Sequence, residues 1–109
     1  ARQVTVIALE DWTRACAEAC AELPWHARRA NLLVDGLKLA NTAGRRLRIG
    51  EEVVLEITGE LEPCERMDEA HEGLRDALVP DWRGGLTCRV LAGGHIAAGD
   101  PVSLDDPAD

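Results

Sequence analysis

The sequence predicts a small, mainly β domain: a β-barrel or sandwich decorated with two or three short helices. Three observations carry this. Short β-branched or alternating runs recur along the chain, at residues 3–9, 31–34, 46–49, 53–58, 86–90 and 102–104. Glycine pairs and turn residues punctuate them, at Gly84-Gly85, Gly93-Gly94 and Gly99-Asp100. Helical spacing is confined to two stretches, one after Asp11 and one after Asp68. The 109 residues make one domain, residues 1–104, with an acidic tail at 105–109 that is expected to fray.

The elements follow in order. Residues 3–9, QVTVIAL, are apolar and β-branched and predict a strand. Asp11 is the expected N-cap of a helix whose apolar stripe is Trp12, Ala15, Cys16, Ala19, Cys20 and Leu23, with Pro24 as its stop. A basic stretch, His26, Arg28 and Arg29, leads into a second strand at 31–34. Residues 46–49 form a third strand and 50–52 a turn. Val53, Leu55 and Ile57 alternate with Val54, Glu56 and Thr58, the period of a half-buried strand. An irregular connection spans 59–65, and Asp68 caps one short helix ending near Leu78, with Leu74, Ala77 and Leu78 inward. After Gly84-Gly85, Leu86, Cys88 and Val90 alternate with Thr87 and Arg89. Residues 92–95 read as a hairpin connection to 96–98, and 102–104 as a last strand.

Composition excludes several classes. Twelve Lys and Arg stand against 20 Asp and Glu, a net charge of −8, which disfavours general binding to nucleic acid or an anionic membrane. Apolar residues are 46% and charged residues 29%, an ordinary globular balance. No apolar run approaches the ~18 residues of a membrane span. No charged start followed by an apolar stretch occurs, so a cytoplasmic, reducing setting is expected and the four cysteines are expected as thiols.

Cys64 is the most suggestive residue. It follows Pro63 in the irregular connection rather than on a patterned core face, and Arg66 is two residues away. A guanidinium nearby favours the thiolate, which can serve as nucleophile, sulfur carrier or soft metal ligand. The alternative reading is a small hydrophobe at a strand end. Cys16 and Cys20 sit four apart; one reading is half of a zinc site with His26 as third ligand and no evident fourth, and the other is two small core residues, since both belong to the apolar stripe. Cys88 reads as core. Arg28, Arg29, Arg83 and Arg89 are candidates for phosphate or carboxylate, although each taken singly reads as a solvated charge paired with an acid. His71 reads as exposed and His95 as part of a turn.

Taken together, these segments resemble the MOSC domain, named for the C-terminal domain of molybdenum-cofactor sulfurases. The resemblance runs through RQVTVIALEDW (2–12), RRANLLVDGL (28–37), GRRLRIGEEVVLEITGE (44–60), EPCERMDEAHEGL (62–74) and DWRGGLTCRVLAGGHIAAGDPV (81–102), nearly the whole chain. It is closest to small stand-alone bacterial members, and it implies a MOSC-type β-barrel and a site for the molybdenum cofactor (molybdopterin). The family's Arg-x-Asn motif falls on Arg29-Ala30-Asn31, which implies that Arg29 and Asn31 hold the pterin phosphate, with Arg66 and Arg83 as further cofactor-binding candidates. The family's hallmark cysteine falls on Cys64, which implies a reactive, sulfur-carrying or molybdenum-ligating thiol. Met67 stands where many relatives have a second cysteine. The resemblance further implies sulfur handling or reduction of N-hydroxylated compounds, the latter with a separate electron donor or partner enzyme. The pyridoxal-phosphate domain of larger relatives has no counterpart here. The family's usual Gly/Asp/His-rich opening segment is not seen before residue 2, so the expectation is either a trimmed member or a fragment, with that part of the pocket absent or supplied by a second subunit, as in a homodimer. A non-catalytic carrier or interaction module is the alternative, and a plain thiol redox protein acting through Cys64 is the third reading. The resemblance predicts that Arg29, Asn31 and Cys64 line one cleft.

Overall fold

The computed structural model describes residues 3–105. Its strands are β1 (Gln3–Ala8), β2 (Leu32–Val34), β3 (Arg46–Ile49), β4 (Val53–Glu60), β5 (Leu86–Ala92) and β6 (Val102–Asp105), and its helices α1 (Leu9–Ala19), α2 (Glu65–Ala70) and α3 (Leu74–Leu78). The six strands form one sheet in the order β2-β1-β5-β4-β3-β6, with β1 and β2 parallel and the other pairs antiparallel. The sheet curls into a half-barrel, the mainly β architecture expected of a MOSC-type barrel with three short helices among the described residues.

Alternation along the strands explains the two cores. Val6 and Ala8 of β1 face the concave side, with Leu47, Ile49, Leu55, Ile57, Leu86 and Cys88. Ile7 points the other way, onto Trp12, Ala15, Cys16, Met67, Leu74 and Leu78 of the helical layer. A strand buried on both faces needs an unbroken apolar run, which Val6, Ile7 and Ala8 provide. Burial of Cys88 pushes its thiol up to about 11, so it behaves as a core hydrophobe.

Several expectations are corrected. Helix α1 begins at Leu9 with Ala8 as N-cap and no side-chain cap, so Asp11 lies inside the first turn rather than before it. The helix ends at Ala19, not at Pro24: Cys20 takes a left-handed φ of 56°, and Ala21 N–H reaches Cys16 O at 2.8 Å. Strand β4 runs on to Glu60, two residues into the expected irregular connection, because Gly59 and Glu60 pair with Thr87 and Leu86. The single helix expected after Asp68 is two, α2 and α3, separated by His71–Gly73 geometry with Gly73 at φ 88°. Asp68 does cap, but across the break: its Oδ1 accepts the Arg75 N–H at 3.1 Å.

The hairpin at 92–95 and the short strand at 96–98 do not form. β6 pairs with β3 instead of β5, so 93–101 is a long crossover. Residues 96–100 lie between the two edge strands and share a cavity of about 200 Å³ with Leu32, Leu33, Val34 and Val102. Asp105, expected in a frayed tail, belongs to β6 and accepts from Arg48 Nε at 2.5 Å; residues 106–109 lie outside the described residues. Among the described residues no helix is long and apolar enough to cross a membrane.

Candidate functional site

The site is built where β4 leaves the sheet. After Glu60 the chain runs through Leu61, Glu62 and Pro63 to Cys64, the N-cap of α2, whose carbonyl accepts the Met67 N–H at 2.9 Å. Opposite this segment lies a 3₁₀ turn, Trp25–Arg28, closed by Arg29 at a left-handed φ of 63° with its N–H on His26 O at 3.0 Å. A non-glycine residue in that conformation is held there by its surroundings. Between the two segments opens a cleft of about 630 Å³, lined by Ala27, Arg28, Arg29, Cys64, Arg66, Met67, Glu69 and Ala70.

Three arginines and one carboxylate, Glu69, line the cleft. Arg29 and Arg66 are exposed, and Cys64 is an exposed free thiol. Arg28 is only 8% exposed. Its Nε donates to Gly84 O at 3.0 Å, and its Nη2 donates to Leu61 O at 3.0 Å and Glu62 O at 3.3 Å. Burial pushes this guanidinium below its usual range, and the neighbouring Cys64 opposes that shift. Met67, in the position of the relatives' second cysteine, is 4% exposed and packs into the helical core.

Of the residues singled out in the sequence, the fold brings Arg29, Cys64 and Arg66 to one cleft and leaves two elsewhere. Asn31 lines a different cavity, with Gln3, Val4, Leu32, Val53, Leu55, Val90 and Ile96. Its side-chain oxygen accepts from Thr5 N at 2.8 Å and Thr5 Oγ1 at 3.0 Å, and its own N–H donates to Thr5, so it ties the start of β2 to β1. Arg83 is buried and donates through Nη1 to Glu18 Oε1 and Ala77 O, both at 2.9 Å. That bond holds the Glu18 carboxyl below its ordinary range. The three-residue cleft of the resemblance is therefore a two-residue one, Arg29 with Cys64, because β2 begins at Leu32 and turns Asn31 toward β1.

The zinc reading of Cys16, Cys20 and His26 finds no support: Cys16 is buried, Cys20 and His26 are exposed, and no group of three potential metal ligands exists among the described residues. His71 is half-buried rather than exposed, with Nε2 2.9 Å from Ala19 O. His95 lies in the crossover, where its N–H donates to Glu52. Arg89 pairs with Glu56 across β4 and β5. The residue that sequence reasoning underrated is Arg28. The available signal was its place beside Arg29 in an acidic chain, but its three carbonyl partners lie 33 to 56 positions away.

The MOSC domain profile matches residues 1–103. No curated protein matches significantly. Among solved structures, the YUAD protein from Bacillus subtilis is similar over 93% of this chain and 62% of its own, at 19% identity and TM-score 0.75. YiiM from Geobacillus stearothermophilus is similar over 97% of this chain and 58% of its own, at 19% identity and TM-score 0.77. A protein described as hypothetical is similar over 93% and 50%, at 21% identity and TM-score 0.71. At these identities the likeness is one of fold, and this chain spans only 50% to 62% of those chains. The match over 1–103 and the half-barrel together place the chain in the MOSC domain family, which is associated in general with molybdenum-cofactor binding.

Proposed function

We propose that this chain holds a molybdenum–pterin cofactor in the Arg29–Cys64 cleft and handles sulfur or reduces N-hydroxylated compounds there. The observation that carries the reading is the meeting of an exposed thiol, Cys64, with Arg28, Arg29 and Arg66 in one cleft of about 630 Å³. That volume suits a small-molecule ligand. The donor set fits an anionic, soft-metal cofactor that brings its other metal ligands with it. Arg29 and Arg66 hold the terminal phosphate through charge-assisted bonds. Cys64 offers a soft thiolate to the metal, or carries the sulfur. Asn31 acts at one remove, by tying the chain just after Arg29 to Thr5. Arg83 acts at one remove too, by fastening the segment before Gly84 to Glu18 and Ala77. When bound, molybdenum supplies two-electron redox chemistry, and a separate electron donor or partner enzyme is then required.

The test is to express the chain in a host that makes the cofactor and to measure molybdenum and pterin per purified chain. Both are expected in the wild type. Arg29→Glu loses both, and Cys64→Ser loses metal before pterin. Wild-type protein free of both would overturn the reading.

A carrier or interaction module is the second reading. The largely apolar cavity of about 640 Å³ around Val4, Leu32, Leu55, Val90 and Ile96 favours it. A defined partner complex that is weakened by Val90→Glu and untouched by Cys64→Ala would support that reading over the first.

A further inference from the structure

We propose that Arg28 is a positioning residue: its buried guanidinium bridges the Gly84 carbonyl to those of Leu61 and Glu62 and thereby fixes the Cys64 thiol at the mouth of the cleft. The inference rests on the reading of Cys64 as the working group of the site.

The geometry is a clamp between two segments far apart in sequence. Nε takes the Gly84 carbonyl, and Nη2 takes both Leu61 and Glu62. Glycine at 84 is what lets the segments close. A Cβ there would stand 2.5 Å from Leu61 O, 3.2 Å from Pro63 Cδ and 3.4 Å from Arg28 Nη2. Leu61 N–H completes the seam by donating to Gly85 O at 2.8 Å.

Cys64 is two residues beyond the last clamped carbonyl, at most about 7 Å of chain. Pro63, with its fixed φ, is the one residue between Glu62 and Cys64. On its other side Cys64 is tied into α2 through Met67 N–H. The backbone at Cys64 therefore has little freedom of its own, and the guanidinium sets where the thiol is rooted. Lysine would keep the charge but not the planar fork that serves two segments at once. Without the fork, the buried Gly84 carbonyl or the part-buried carbonyls of Leu61 and Glu62 lose their donor, and the seam opens to water.

The experiment puts a nitroxide on Cys64 in a Cys20→Ser background, where Cys16 and Cys88 are buried, and reads its mobility by electron paramagnetic resonance well below the melting temperature. Wild type is expected to give a slow, restricted spectrum. Arg28→Lys, Arg28→Gln and Gly84→Ala are each expected to shorten the correlation time by about threefold, because all three open the same seam. Gly84→Ala does this without touching the charge. A residue that only adds to global stability would lower the melting temperature and leave the spectrum alone. Folded Arg28→Lys or Arg28→Gln protein with an unchanged spectrum overturns the proposal, as does a shift confined to Gly84→Ala. If one variant fails to fold, the others decide. Pyrophosphate binding, measured in parallel on the unlabelled wild type, separates the two ideas: its loss alone counts against the cofactor reading, whereas an unmoved label alone counts against the clamp.

Discussion

Gly85→Ala tests how the site is hung on the sheet. Gly85 has φ 110°, and a Cβ built there would stand 2.3 Å from Val6 O and 3.3 Å from Val6 C. Both partners are backbone, so no side chain can swing away. An L-residue held in the positive-φ region costs about 1–2 kcal/mol. Relieving the overlap means pushing β1 off the turn, an overpacking cost of about 1–3 kcal/mol. Together these give about 2–5 kcal/mol, against a total stability of about 5–15 kcal/mol for a domain of this kind. At about 4–8 °C per kcal/mol the melting temperature should fall by at least about 8 °C. Urea unfolding followed by circular dichroism is the assay, with the midpoint expected to fall at constant slope. Gly93→Ala is the control. Its Cβ would meet nothing within 4 Å and no positive φ is involved, so it should be neutral or stabilising by up to about 1 kcal/mol. Gly85→Ala within about 0.5 kcal/mol of wild type would refute the close approach of the turn to β1.

Other outcomes follow from the same geometry. Thiol titration of the folded protein should find Cys20 and Cys64 reacting quickly, and Cys16 and Cys88 only on unfolding, since both are buried and burial raises both thiols. Leu55→Ala, at a position 1% exposed and paired with Leu47, should cost about 2–5 kcal/mol in the same urea assay. Asp11 is raised above its ordinary 3.8, first by burial, with Arg83 opposing. An acid raised in the folded state adds stability below its unfolded value and loses it as pH rises through the folded value. Asp11→Asn should therefore gain in melting temperature over wild type at pH 7, and the gain should shrink on going to about pH 3.5.

The legible parts of the fold were those governed by local pattern. Val53, Leu55 and Ile57 alternate because one face of β4 is core and the other is half-covered, and the helical stripe of Trp12, Ala15 and Cys16 is buried where its spacing says. Pairing was not legible. The glycines at 93 and 94 read as a hairpin turn, yet β6 crosses to β3, a choice set by which edge offers partners rather than by the turn. Gly94 instead makes room for Glu52: a Cβ there would meet Oε2 at 2.3 Å. Gly84-Gly85 read as a turn too, and the need for close approach to Leu61 and Val6 lay in three dimensions.

The site divides in the same way. Cys64 was legible as exposed because Pro63 takes it off the strand pattern, and Arg29 because a motif carried it. Arg28 was not: a charged side chain beside another reads as solvated, and only the fold supplies the backbone carbonyls that make it internal. Asn31 carried a motif as well, but the residue-to-residue bonds with Thr5 turn it away from the cleft.

The account stands on an anion site shared by Arg29 and Cys64, and competition for the thiol tests that most directly. In a Cys20→Ser background, the rate of Cys64 alkylation by iodoacetamide is measured with and without inorganic pyrophosphate. Pyrophosphate is predicted to slow the labelling several-fold in otherwise wild-type protein and to have no effect in Arg29→Glu. Labelling at the same rate with and without pyrophosphate in the wild-type cleft would contradict the account.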